Sequence, residues 1–164
     1  MKKTSLFVLM AFILSSAVID ATAQKMNLNG KWKADVSKSS VISNNPFLVR
    51  IDVKISGDSL FTERYYDIGD GQTYPFTENL TLDGKEHDIT VYDMPRKTTA
   101  IWSEDEGMLK LVSSMSTYGG SGPADFVSKE TWKVAEDGKI LTISFANTMN
   151  GSDSEGSFVM TRAE

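Results

Sequence analysis

The sequence predicts an all-β protein, an antiparallel up-and-down β-barrel of eight to ten strands with no long helix beyond its N-terminal segment. Three observations carry this reading. Glycine- or proline-centred turns recur about every 11–17 residues from Ser56 to Gly151, the length of one strand plus one tight connection. The runs between them alternate apolar with polar residues or are rich in β-branched and aromatic side chains. No later window sustains an apolar period of about 3.6 residues with capping residues at its ends. A meander of short strands exposes two edges unless it closes on itself, so a barrel is preferred to an open β-sandwich.

The N-terminal segment reads as an export signal. Lys2 and Lys3 form a positive start, Leu6 to Ile19 form an apolar run of about fourteen residues, and Ala21-Thr22-Ala23 has the small-x-small pattern of a signal-peptidase site. Cleavage is expected after Ala23, which divides the chain into a signal peptide over 1–23 and one barrel domain over 24–164. The apolar run is shorter than the roughly 20 residues that span a bilayer, so no membrane insertion of the mature chain is expected. The expected location is periplasmic or secreted. Removing the segment takes two lysines and one aspartate with it, so the formal charge moves from −5 to −6.

The strands follow in order. Gly30 to Val36 is the first, and Leu48 to Ile55 the second, where Val49, Ile51, Val53 and Ile55 alternate with Arg50, Asp52 and Lys54 to give one dry and one wet face. Leu60 to Tyr66 follows the Ser56-Gly57-Asp58 turn, and Phe76 to Leu82 follows Asp70-Gly71. His87 to Tyr92 lies between turns at Asp83-Gly84 and Met94-Pro95. Thr98 to Ser103 and Met108 to Ser114 flank Glu106-Gly107. Val127 to Val134, Ile140 to Ala146 and Ser157 to Arg162 are separated by Asp137-Gly138 and Asn150-Gly151. Three charges share parity with apolar positions: Arg64 with Leu60, Thr62 and Tyr66; Glu78 with Phe76, Leu80 and Leu82; Glu130 with Trp132 and Val134. An inward charge is costly unless paired or solvated. These positions therefore imply a polar cavity, bulges that shift the parity, or strands at a wet rim.

Composition excludes several chemistries. There is no Cys and only one His, so a Cys nucleophile and a His- or Cys-rich metal site are not available. The negative balance argues against nucleic acid, whose phosphates are bound by clustered Lys and Arg. His87 lacks a Gly-x-Ser-x-Gly partner, and Gly120-Ser121-Gly122 runs into Pro123, as a loop does. Placing Gly71, Gly107 or Gly156 at the central glycine of a twelve-residue calcium loop puts Tyr66, Trp102 or Gly151 where Asp is needed, leaving only an irregular cluster at Glu104, Asp105 and Glu106. No metal and no cofactor are expected. Glu78 and Glu130 form the one inward carboxylate pair on which a hydrolase could be built.

Gly30-Lys31-Trp32 at the start of the first strand and Arg162 at the end of the last resemble the opening and closing residues of the lipocalin and wider calycin group. That resemblance implies that Trp32 plugs the closed end and that Arg162 packs across it, with Gly30, Trp32 and Arg162 as structural barrel-closure residues. With Asp35-x-x-Lys38-Ser39, Leu82-Asp83-Gly84-Lys85-Glu86, Ala100-Ile101-Trp102, Glu130-Thr131-Trp132 and Glu136-Asp137-Gly138-Lys139-x-Leu141, the set is similar to small lipocalin-like proteins exported by bacteria. It spans nearly all of 27–162. The connection from Ser37 to Pro46 is too short for the helical pair of the intracellular fatty-acid-binding group.

The function expected is binding of a small hydrophobic or amphipathic molecule inside a monomeric barrel. The candidate ligand-binding residues are Arg64, Tyr66, Glu78, Trp102, Tyr118, Glu130, Trp132 and Phe145, with Arg64, Glu78 or Glu130 orienting a polar end. Tyr65, Tyr74, Met108, Met115, Met149 and Met160 are further possible lining. Ser113 to Phe126 is the candidate flap over the open end. The alternatives are a filled barrel serving as a protein-interaction or inhibitor module of the cell envelope, and a carboxylate-dependent hydrolase.

Overall fold

The computed structural model describes residues 25, 27–41, 46–116, 125–135 and 137–163, so the expected signal segment and Tyr118 lie outside the described residues. Ten strands form: β1 (Gly30–Ala34), β2 (Phe47–Ser56), β3 (Ser59–Asp67), β4 (Thr73–Thr81), β5 (Asp83–Val91), β6 (Met94–Ser103), β7 (Met108–Met115), β8 (Phe126–Val134), β9 (Ile140–Met149) and β10 (Ser152–Arg162). Every hydrogen-bonded neighbour is antiparallel, and the order runs β4-β3-β2-β1-β10-β9-β8-β7-β6-β5. Pairing of β1 with β10 joins the two ends of the chain. The result is a nearly closed up-and-down barrel of ten strands, interrupted only where β4 and β5 share no ladder.

Local chemistry explains most boundaries and three departures from the expected ones. β1 stops at Ala34 rather than Val36 because Asp35 starts a turn, its side chain accepting from Ser37 N (3.1 Å) and its carbonyl from Ser39 N (3.1 Å). The reversal expected at Met94-Pro95 falls two residues earlier. Tyr92 and Asp93 carry φ of 49° and 65°, a two-residue hairpin turn, and Pro95 becomes a strand residue opposite Thr90. Asp83-Gly84 is not a hairpin either: β5 starts at Asp83, and the register against β6 slips between Asp83 and Glu86, which is a bulge. Asn150-Gly151, with φ of 51° and 78°, is the hairpin turn its sequence suggests. A second bulge between Leu48 and Arg50 resets the parity of β2, so Leu48 is fully buried in place of Val49.

The core fills one half of the barrel. Trp32, Ile51, Leu60, Leu109, Trp132, Leu141, Ile143 and Met160 are all at most 1% exposed and belong to one contiguous cluster. Trp32 seats its ring against this cluster and donates Nε1–H to Leu28 O at 2.9 Å. Arg162 lies over the same ring, 4.2 Å from its centroid, and ties the N-terminal lead down through Asn29 O (2.6 Å) and Asn27 O (2.7 Å). Gly30 is required here: its φ is +132°, and a Cβ would stand 2.6 Å from Arg162 Nη1.

Candidate functional site

Above the packed half, the inward positions turn polar. Arg64, Glu78 and Glu130, singled out by their parity, do point inward, and they meet at one guanidinium. Arg64 Nε donates to Glu78 Oε2 at 2.8 Å, while Arg64 Nη1 reaches both oxygens of Glu130 at 2.9 and 3.0 Å. Trp132 Nε1 donates to Glu130 at 2.8 Å and Thr62 Oγ1 to Glu78 at 3.0 Å. Arg96 completes the group, with Nη2 3.7 Å from Glu78 Oε1 and 2.6 Å from Ser113 Oγ. Arg64 and Glu78 are 1% and 0% exposed. Burial alone would push the Glu130 carboxyl up, but Arg64 outweighs it and holds the group below its usual range. Burial likewise opposes the charge on Arg64, and the two carboxylates reverse that by drawing its pKa well above normal. Both Glu78 and Glu130 thus act as partners of an arginine.

Strand register sets a second polar feature beside this belt. Thr98, Ser113, Ser128, Asn147 and Ser154 are direct cross-strand neighbours on β6, β7, β8, β9 and β10. They share inward parity, so a row of small hydroxyl and amide side chains crosses one wall of the barrel. The flanking row, Arg96, Met115, Phe126 and Met149, is larger and mostly apolar. Small side chains between large ones leave space.

A cavity of about 490 Å³ opens at one end of the barrel, lined by the larger row and, from the small one, by Ser128 and Asn147. Its wall is mostly aromatic and methionine: Tyr66, Phe76, Tyr92, Met115, Phe145 and Phe158 surround it, and Tyr66 stacks on Phe76 with centroids 5.8 Å apart. Arg96, Ser128, Glu130 and Asn147 supply its polar surface.

The candidate residues separate by tier. Tyr66, Glu130 and Phe145 line the cavity. Arg64 and Glu78 do not; they are buried in the belt beneath it, paired with each other and with Glu130 and Arg96. Trp102 and Trp132 belong to the packed half, where Trp102 Nε1 donates to Glu104 at 3.1 Å. Of the further possible lining, Tyr74, Met115 and Met149 contribute, Met160 is core, and Tyr65 faces outward, where Arg50 lies 4.3 Å over its ring. Ser113 to Met115 is strand rather than flap, and 117–124 lie outside the described residues. The acidic turn is tied to its own hairpin, since Glu106 accepts from Ser103 Oγ at 2.8 Å and pairs with Lys110. Among the described residues no group of three His, Asp or Glu side chains is placed to hold a metal.

Arg96, Phe76, Tyr92, Met94, Phe126, Asn147 and Phe158 were not among the expected ligand contacts. The sequence carries a signal for Arg96, which shares parity with Thr98, Ala100 and Trp102, although the turn composition of Met94-Pro95 sets it apart from that strand.

The interruption in the barrel lies beside the cavity and is bridged by side chains. Tyr92 Oη donates to Tyr74 O at 2.8 Å near the open end, and the Arg96–Glu78 contact crosses further in. At the far end His87 Nε2 accepts from Thr81 N at 3.1 Å and contacts Thr81 Oγ1 at 2.8 Å. His87 is therefore a clasp between β4 and β5, its imidazole engaged away from the cavity. Compared with protein-family models and with curated proteins, the chain finds no match.

Proposed function

We propose that this chain is an exported, lipocalin-like binding protein that holds a small, partly apolar molecule in the open half of its barrel. The observation that carries this reading is the cavity of about 490 Å³, which falls within the roughly 300–1,000 Å³ typical of small-molecule sites. Its surface has the usual composition of such sites, mostly aromatic and aliphatic with a few polar groups gathered on one side. Burial of apolar ligand surface against Tyr66, Phe76, Phe145 and Phe158 supplies the affinity, at about 25 cal/mol per Å² before the costs of association. Met94, Met115 and Met149 let the wall adapt to ligand shape. The direct experiment is native mass spectrometry of the protein purified from its own compartment. A retained small molecule, released by mild unfolding, is the expected result; a bare chain that also fails to bind a neutral apolar dye would overturn the proposal.

A further inference from the structure

The belt beneath the cavity restricts what kind of polar end a ligand can carry. It holds two guanidinium groups, Arg64 and Arg96, and two carboxylates, Glu78 and Glu130, so its charges cancel. Each carboxylate already faces a guanidinium, with Arg64 shared between them. A ligand carboxylate entering here is a third anion among two cations, and a ligand ammonium is a third cation among two anions. Either leaves one buried charge without compensation, which is the expensive case. An uncharged head group leaves the balance untouched.

The polar side chains at the cavity surface point the same way. Arg96 can only donate and the Glu130 carboxylate can only accept, while Ser128 and Asn147 do both, so the lining offers donors and acceptors side by side. A carboxylate can only accept and an ammonium can only donate, whereas a hydroxyl or a primary amide does both. The Ser, Thr and Asn row across the same wall is itself neutral and two-sided in this sense.

We infer that the cavity selects an uncharged amphiphile, an alcohol or primary amide with a hydrocarbon or aromatic body, its head at Arg96 and Asn147 and its body against the ring-lined wall. This rests on the binding reading above and narrows its ligand class. The test is competition against a neutral fluorescent dye, N-phenylnaphthylamine, at pH 7.5 with four ligands of one chain length: decan-1-ol, decanamide, decanoate and decylammonium. The alcohol and the amide are expected to displace the dye at least tenfold more tightly than either ion. Equal competition by all four, or tighter binding of decanoate, overturns the selectivity while leaving the cavity reading intact. No binding of the dye or of any of the four overturns both. Glu130→Gln removes one anion from the belt and gives it a net positive charge, so decanoate is expected to gain at least tenfold relative to decan-1-ol. An unchanged ratio in a folded variant contradicts the charge argument, and the four-ligand series on the unaltered protein decides the matter if the variant does not fold.

Discussion

Replacing Arg64 with methionine removes the one cation shared by two buried carboxylates while keeping an unbranched side chain in the same space. Glu78 then retains the Thr62 hydroxyl at 3.0 Å and the longer contact to Arg96 at 3.7 Å, and Glu130 keeps the Trp132 N–H. Breaking a buried ion pair by deleting one partner costs about 3–5 kcal/mol. For a domain of this size that corresponds to a fall in Tm of about 6–20 °C. Urea unfolding at pH 7 measures the loss directly. The loss should also depend on pH, because without Arg64 burial dominates at Glu130 and its carboxyl titrates above its unfolded value of about 4.3. Protonation then relieves the variant, so its deficit relative to the unaltered protein shrinks as pH falls from 7 to 5. The triple variant R64M/E78Q/E130Q, with no belt charge left uncompensated except Arg96, should recover part of the loss. A deficit below about 1 kcal/mol at pH 7, or one that does not shrink toward pH 5, refutes the reasoning.

Other consequences can be checked alongside. In the unaltered protein Glu130 titrates below its unfolded value, so its contribution is complete above about pH 4.3 and is lost as pH falls through the folded pKa; Glu130→Gln should flatten the acid limb of the stability profile. Gly30→Ala forces an L side chain to φ +132° against Arg162 and should cost about 1–3 kcal/mol, less in an Arg162→Ala background, as a double-mutant cycle in denaturant would show. Gly156→Ala drives a Cβ into the Ser40 carbonyl and the Phe145 ring, so the unfolding free energy measured in denaturant should drop by about 1–3 kcal/mol, with Ser40 detaching from Ser157. His87→Phe deletes the acceptor for Thr81 N, and amide exchange at Thr81 should quicken about three- to tenfold.

Much of this architecture is legible in the chain because barrels are built from local rules. Turn chemistry and period-two alternation are written within a few residues of each other, so all ten strands could be placed, and Arg64, Glu78 and Glu130 could be marked as inward before any partner was known. Their meeting could not be read. Arg64 and Glu78 sit on adjacent strands, but Glu130 comes to Arg64 from β8 across the interior, and nothing local encodes which strands face each other. The differences are also local. Met94-Pro95 has the composition of a turn, but Tyr92 and Asp93 make the reversal and Pro95 lies in β6, so the inward parity of Arg96 emerges only with that turn in place. Asp83-Gly84 has the composition of a hairpin and serves as a bulge, because β4 and β5 do not pair. The neutral row from Thr98 to Ser154 is visible only when five strands are set side by side, since each member alone is an ordinary small polar residue.

The unpaired seam between β4 and β5 leaves this otherwise closed sheet with two free edges, and a free edge is a template for joining another molecule. The residues along it discourage that. Pro75 in β4 has no N–H to offer a newcomer, and β5 begins Asp83, Gly84, Lys85, Glu86, His87, Asp88, a bulged and densely charged run. Such a border resists edge-to-edge stacking at the one place where the backbone could support it. The same seam can thus stay free of a ladder, held by side chains that can let go and re-form, without offering a template for a fibre.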